Sequence, residues 1–224
     1  SIVKVMDITV ARTGLSEKEV KALGLDYYVS YSSSPSHANY YPGTSQLFIK
    51  LVVARGNGRL LGAQVVGKEG VDKRIDVFAS ALYSELTVMD LEDLDLAYSP
   101  PYSSARDPAA IAGMTASNIL REEVESVTPS EVRQRIASGD SSLQFLDVRT
   151  GEEVDKGCIS GMKHIPLNDL RGRLEELDRA QEIMVYCGYG LRSYLATRIL
   201  NQRGFRDVKN MGGGYIAWTH QCNE

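Results

Sequence analysis

The residues best suited to chemistry stand together at Cys187-Gly188-Tyr189-Gly190-Leu191-Arg192-Ser193. Before them runs Ile183-Met184-Val185-Tyr186, apolar and β-leaning. After them, Ser193-Tyr194-Leu195-Ala196-Thr197-Arg198-Ile199-Leu200 reads as a helix with an apolar face. Cys187 therefore falls in a strand–loop–helix turn. Gly188 and Gly190 let such a loop bend tightly and bring its backbone N–H groups inward. The start of the following helix favours an anion, and Arg192 offers a full positive charge with a fork of donors. A thiol in that setting is expected to ionise readily and act as a nucleophile. A buried, inert structural cysteine at a strand end is the alternative. The glycines, the arginine and the strand–helix context favour the reactive reading.

The chain around this loop has 224 residues, enough for one large domain or two ordinary ones. Hydrophobic residues make up 43% and charged residues 24%, the balance of a soluble globular protein. A net charge of −4 gives no global reason to expect nucleic-acid binding. No apolar run approaches the length of a membrane span, and the start, Ser1-Ile2-Val3-Lys4-Val5, has no signal-peptide pattern. That start reads as a processed chain or a fragment. Cys158, Cys187 and Cys222 are too few and too scattered for a disulfide framework, which points to a reducing cytoplasm. With His37, His164 and His220 they make no zinc-like spacing, so no metal is expected.

The elements that must position the loop follow from periodicity and punctuation. Ile2 to Val10 reads as a strand. Ser16 and Glu19 have capping-box spacing for a short helix through Leu23. Tyr27 to Gly43 is rich in tyrosine and serine and reads either as a strand with a polar loop or as a recognition surface. Leu47–Val53 and Leu60–Val66 flank a Gly56-Asn57-Gly58 turn and make a hairpin. Val71, Ile75, Phe78, Ala79, Leu82 and Leu86 share a helix face. Asp90 to Asp95 leads into the irregular loop Ser99-Pro100-Pro101-Tyr102, and Asp107-Pro108 opens a last helix of small residues. A charged linker follows at Arg121–Ser126. Thr128-Pro129-Ser130-Glu131 opens a helix with a complete cap. Leu143–Arg149 reads as a buried parallel strand. Asn168 is expected to cap a helix through Leu177, Asp207–Met211 to form the last strand, and Gly212-Gly213-Gly214 to enter the final helix, with Trp218 in the core.

The Cys187 loop resembles the active-site loop of the rhodanese family, in which the cysteine carries a sulfane sulfur as a persulfide cradled by loop amides. Four residues separate Cys187 from Arg192. Related phosphatases use a loop one residue longer to hold a phosphate, so the shorter loop suits a single sulfur. Asp147-Val148-Arg149 resembles the family's strand-end signature, and Gly157-Cys158-Ile159-Ser160-Gly161-Met162-Lys163-His164-Ile165-Pro166 resembles its Gly-His-Ile-x-Gly-Ala-x-x-Ile-Pro pattern. It departs at Cys158, where His is usual, and at Met162, where Ala is usual. The resemblance implies Cys187 and Arg192 as catalytic residues, Gly188, Tyr189, Gly190 and Leu191 as the persulfide cradle, and Asp147 and Arg149 as structural braces. His164 is expected at a strand edge, Cys158 as a small substitute or a second thiol, and Cys222 at an exposed end.

The first half resembles another family. Gly62-Ala63-Gln64-Val65-Val66-Gly67, Asp72-Lys73-Arg74-Ile75-Asp76 and Ala97-Tyr98-Ser99-Pro100-Pro101-Tyr102-Ser103 are similar to the C-terminal dimerisation domain of FAD-dependent pyridine nucleotide-disulfide oxidoreductases, nearest the coenzyme A-disulfide reductases and NADH oxidases. That resemblance implies a homodimer through residues 1–118. It also implies a coenzyme A site reached by tyrosines, with Tyr40, Tyr41 and Tyr102 as candidates; packing beside two prolines is the alternative role for Tyr102. No Gly-x-Gly-x-x-Gly occurs, so FAD, NAD(P)H and coenzyme A are expected for a longer parent enzyme, with no cofactor in this chain. The expected organisation is an α+β dimerisation domain (1–118), a linker (119–126) and a small α/β rhodanese-like domain with a parallel sheet (127–224). The expected function is sulfur transfer through a Cys187 persulfide to a thiol, with small sulfur compounds and thiols as partners and neither nucleic acid nor membrane. It would serve a flavoenzyme that reduces coenzyme A disulfide, persulfide or polysulfide. A non-catalytic docking module and a phosphatase-like loop are the rivals.

Overall fold

Alternation of apolar and polar residues builds the first of two units into which the chain divides, Ser1–Arg121; the second begins at Glu122. The computed structural model describes residues 1–140 and 142–220. In the first unit β1 (Ile2–Val5) and β2 (Ile8–Gly14) form a hairpin around Met6-Asp7, with Val5 opposite Ile8. The single strand expected over Ile2–Val10 is thus two. Met6 turns the chain at φ 53°, a conformation usually left to Gly or Asn and so without a sequence signal. α1 (Glu17–Ala22) carries the expected Ser16/Glu19 cap. β3 (Tyr27–Pro35), β4 (Gln46–Ala54) and β5 (Leu60–Gly67) complete an antiparallel sheet of order β1-β2-β5-β4-β3.

Helices α2 (Val71–Tyr83), α3 (Val88–Asp93) and α4 (Pro108–Leu120) bury their apolar residues with those of β4 and β5. Leu47, Ile49, Leu51, Phe78, Leu91 and Ala112 are almost wholly buried there. α3 lies where the sequence marks no element, between Leu86 and the Pro-Pro loop. Its cap is Thr87, whose hydroxyl accepts from the Asp90 N–H while Asp90 caps back.

The second unit is a parallel sheet. β6 (Glu125–Val127) pairs with the last strand, α5 (Pro129–Ala137) follows its Thr128 cap, and β7 (Leu143–Asp147) ends at the expected signature. α6 (Gly151–Val154), β8 (Lys163–His164), β9 (Glu182–Tyr186), α7 (Leu191–Gln202), β10 (Val208–Met211) and α8 (Gly214–His220) complete it. The strand order is β6-β10-β9-β7-β8, with every pairing parallel.

Two expectations change here. The charged linker over 119–126 is shorter, because α4 runs to Leu120 and β6 starts at Glu125. The helix expected from Asn168 to Leu177 is two single 3₁₀ turns, Leu170–Gly172 and Leu174–Glu176. Gly172 and the non-helical Arg173 (φ −127°) interrupt it, while Leu170, Leu174 and Leu177 still bury at helical spacing.

β9 organises both faces of this sheet. Ile183, Val185 and Cys187 point to the side covered by Ile199 and Leu200 of α7. Met184 and Tyr186 point to the side holding Val132 of α5, with Trp218 of α8 packed against it. Cys187 is the first residue past β9, at its carboxyl end, where parallel α/β sheets place ligands.

Candidate functional site

Cys187 leaves β9 with its side chain on the α7 face and is 1% exposed. The Gly190 N–H donates to its Sγ at 3.1 Å, and the Ser193 hydroxyl lies 3.5 Å from the same sulfur while donating to the Gly190 carbonyl at 2.9 Å. Gly190 can aim its N–H this way because it sits at φ 125°, where a side chain would be strained. α7 begins immediately after it, and no side chain caps that start, so the helix presents its first-turn amides and dipole at the loop.

The loop's carbonyls are held elsewhere. The Tyr215 N–H donates to the Cys187 carbonyl at 2.7 Å and the Ile216 N–H to the Gly188 carbonyl at 3.1 Å. α8 thereby fixes the loop from outside. Gly214 makes this approach possible, since a Cβ there would stand 2.5 Å from the Cys187 carbonyl oxygen.

Arg192 lies at the loop's other end, and its guanidinium forms a two-pronged ion pair with Glu153, at 2.6 and 2.7 Å. Glu153 is doubly engaged, since it also accepts from the Thr150 N–H at 3.0 Å and so caps α6. The Arg192 hydrogen bonds, reinforced by Thr150, hold the Glu153 carboxyl at about 2, far below its ordinary 4.5. Glu153 in turn pushes Arg192 upward, with a smaller contribution from the Cys187 sulfur. The pair rests on Gly188, where a Cβ would meet the Arg192 Nη2 at 3.3 Å and the Glu153 Oε1 at 3.4 Å.

Asp147 and Arg149 form a buried pair beneath the loop. The Arg149 Nε donates to both Asp147 oxygens at 3.0 Å and Nη2 to Oδ2 at 2.6 Å. Nη2 also reaches the Gly157 carbonyl at 2.7 Å and Nη1 the Glu153 carbonyl at 3.3 Å. The guanidinium stacks 4.2 Å over the Tyr215 ring and 5.7 Å from Tyr186. One buried cation thus ties together the strand end, α6, the 157 turn and α8. Burial opposes the Arg149 charge, but Asp147 more than offsets this and pushes it upward.

His164 stands on the edge strand β8, its Nε2 2.9 Å from the Arg149 carbonyl. Cys158 is exposed, between Gly157 and Ile159, whose N–H donates to the Tyr186 hydroxyl. Cys222 lies outside the described residues. Among the described residues no group of three or more His, Cys, Asp or Glu is placed to hold a metal ion, and no helix is long and apolar enough to cross a membrane.

In the first unit the tyrosine-bearing loops come together around the buried Arg74. Its guanidinium donates to both oxygens of Asp107, at 3.2 and 2.9 Å, to the Ser36 carbonyl at 3.0 Å and to the Ser103 hydroxyl at 3.2 Å. The Ala38 N–H then donates to the Ser103 carbonyl at 3.1 Å. Above this brace Tyr40 and Tyr98 place their hydroxyls 3.2 Å apart, and the Tyr40 contact pushes the Tyr98 phenol upward. Tyr41 meets His37 edge-on at 5.7 Å, and Tyr102 is exposed in the Pro-Pro loop.

Glu153, Ser193, Tyr98 and Arg74 join these sites although the sequence singles out none of them; the last three stand only as members of longer motifs. Glu153 could have been found only through its capping-box spacing from Thr150. Tyr98 belongs to the Pro-Pro loop motif, but its partner Tyr40 stands 58 residues away.

Residues 1–110 match the model of the pyridine nucleotide-disulphide oxidoreductase dimerisation domain, and residues 128–221 match that of the rhodanese-like domain. A coenzyme A disulfide reductase of Staphylococcus aureus (strain bovine RF122 / ET3-1) is 42% identical over 116 residues, covering 52% of this chain and 26% of that protein. The crystal structure of reduced Bacillus anthracis CoADR-RHD superposes with a TM-score of 0.93 at 44% identity, covering 97% of this chain and 38% of that one. A NAD-dependent persulfide reductase from A. fulgidus superposes at 0.88 with 40% identity, covering 97% and 39%. The chain thus spans about a quarter of the curated relative and under two fifths of either solved one.

Proposed function

On the premise that this chain joins a pyridine nucleotide-disulphide oxidoreductase dimerisation domain to a rhodanese-like domain, we propose that its second unit is a sulfur carrier. Cys187 takes up a sulfane sulfur and hands it to a thiol. The observation that carries this reading is the Cys187 sulfur itself, buried at a strand end and met by the Gly190 N–H at 3.1 Å, with an uncapped helix start beside it.

In the first half-reaction the Cys187 thiolate attacks the outer sulfur of a persulfide, R–S–SH. A new S–S bond forms to Sγ, the old S–S bond breaks, and RS⁻ leaves with the electron pair. In the second, an acceptor thiolate attacks the outer sulfur and Cys187 departs as thiolate. The sequence needs neither oxidant nor reductant. The cradle residues Gly188, Tyr189, Gly190 and Leu191, with the first turn of α7, stabilise the negative outer sulfur. Arg192, paired with Glu153, stands at the rim as a hydrogen-bond donor, and Asp147 and Arg149 hold the loop rigid.

The names of the relatives support a longer activity. A parent enzyme would use FAD and NAD(P)H to reduce coenzyme A disulfide, persulfide or polysulfide, with the first unit pairing two copies. The residues present do not fit the dinucleotide cofactors, because the chain lacks the Gly-x-Gly-x-x-Gly turn for their pyrophosphate. No hydride step is therefore assigned to it. For coenzyme A, the pair Tyr40 and Tyr98 is the best candidate, since their hydroxyls converge; Tyr41 and the exposed Tyr102 remain further candidates. Against the phosphatase rival, Arg192 already has a carboxylate partner in Glu153.

Sulfur transfer from an organic persulfide to cyanide, read as thiocyanate, tests the carrier reading. Cys187→Ser should lower turnover by about a thousandfold or more. Undiminished transfer by that variant would rule the reading out.

A further inference from the structure

The loop combines an anion-seeking cradle with a cation that is already neutralised. Arg192 is the charged donor nearest the thiol along the loop, and both of its terminal nitrogens are engaged by Glu153, at 2.6 and 2.7 Å. Beneath it, Arg149 is likewise matched by Asp147. These two ion pairs together carry no net charge. The rim adds apolar surface. Leu191 is 71% exposed at the first position of α7, Leu195 is exposed one turn further along the same face, and Tyr189 is exposed in the loop.

Resting on the carrier reading above, we propose that Glu153 is a specificity-determining residue. Its carboxylate excludes dianionic sulfur donors such as thiosulfate and reserves the loop for organic persulfides, whose reacting sulfur bears at most one charge and whose organic part lies against Leu191 and Leu195.

The physical argument is charge balance at close range. Thiosulfate brings two negative charges to within a few ångströms of Cys187 and must leave as sulfite, S–SO₃²⁻ + Cys–S⁻ → Cys–S–S⁻ + SO₃²⁻. At this partly exposed rim its charges are repelled by Glu153 nearly as strongly as they are attracted by Arg192. A persulfide needs no net positive site. Its outer sulfur is served by the Gly190 N–H and the α7 start, and its leaving thiolate departs towards solvent. Glu153 stays ionised at neutral pH because Arg192 and Thr150 hold its proton affinity down.

The test compares two donors on the full 224-residue chain, thiosulfate and the persulfide of 2-mercaptoethanol. The second-order rate of sulfur loading onto Cys187 is read by intact mass. Glu153→Gln removes the charge and keeps a residue able to cap Thr150; Glu153→Asp keeps the charge and controls for loss of packing. The expected result is a rise of about tenfold in the ratio of the thiosulfate rate to the persulfide rate for Glu153→Gln, with Glu153→Asp keeping the wild-type ratio. A parallel fall in both rates would overturn the proposal and make Glu153 a structural brace. No change in either would overturn it as well. If wild-type Cys187 takes sulfur from neither donor, the carrier reading itself fails and the specificity role falls with it.

Discussion

Gly190 sits at φ 125° and its N–H is the hydrogen bond that meets the Cys187 sulfur. A Cβ at that position would meet no other atom, so Gly190→Ala is a test of backbone conformation alone. It should cost about 1–3 kcal/mol of stability, or relax the loop and withdraw the N–H from the sulfur, and in either case slow sulfur loading. Urea melts and loading rates measured together check both arms. Glu153 makes a pH prediction. Its carboxyl is depressed to about 2 in the folded protein from an ordinary 4.5, so its contribution is full above pH 4.5 and is lost as pH falls from 4.5 towards 2. Because the Arg192–Glu153 pair is about a third exposed, screening limits that contribution to about 1 kcal/mol. The stability gap between wild type and Glu153→Gln should be constant above about pH 5 and close on acidification. Cys187, the two glycines and Arg192 are legible in sequence because they are near neighbours in the chain. Glu153 is not, because it lies 39 residues from Arg192 and only the parallel sheet brings them together.

At the scale of elements, caps and long runs were the legible features. The Ser16/Glu19 and Thr128/Glu131 boxes mark helix starts within a few residues, and the hairpin of β4 and β5 follows from alternation around a glycine turn. Short elements were hidden. β6 has only three residues, its composition reads as a charged linker, and its identity comes from parallel pairing with β10 more than eighty residues on. The leucines at 170, 174 and 177 show helical spacing, yet Gly172 and Arg173 reduce the segment to two 3₁₀ turns. Asp147 and Arg149 join elements that the sequence lists far apart. Asp147→Ala would leave the Arg149 charge buried without its partner, at a cost of about 3–5 kcal/mol. Chemical denaturation of the second unit should show a midpoint lowered accordingly, whereas an unchanged midpoint would mean that Arg149 is satisfied by the Glu153 and Gly157 carbonyls and the tyrosine rings alone.

At the scale of the whole molecule, each unit has its own apolar core, and every side chain assigned to the sulfur site belongs to the second. A chain of residues 122–224 is therefore expected to load sulfur at a rate within about twofold of the full chain. Pairing of two copies, expected from the dimerisation domain of the first unit, should be lost in that shorter chain, as sedimentation would show. The division into two units was legible from the change in element pattern near residue 120. The convergence of Tyr40 with Tyr98 over the Arg74–Asp107 brace was not, since it depends on loops drawn together by one buried guanidinium. The most direct measurement on the account as a whole is the intact mass of the chain after incubation with an organic persulfide, wild type beside Cys187→Ser. A gain of one sulfur atom is expected in the wild type, removed by a thiol acceptor and absent from the variant. A wild-type mass that does not change, or an equal gain in Cys187→Ser, would contradict it.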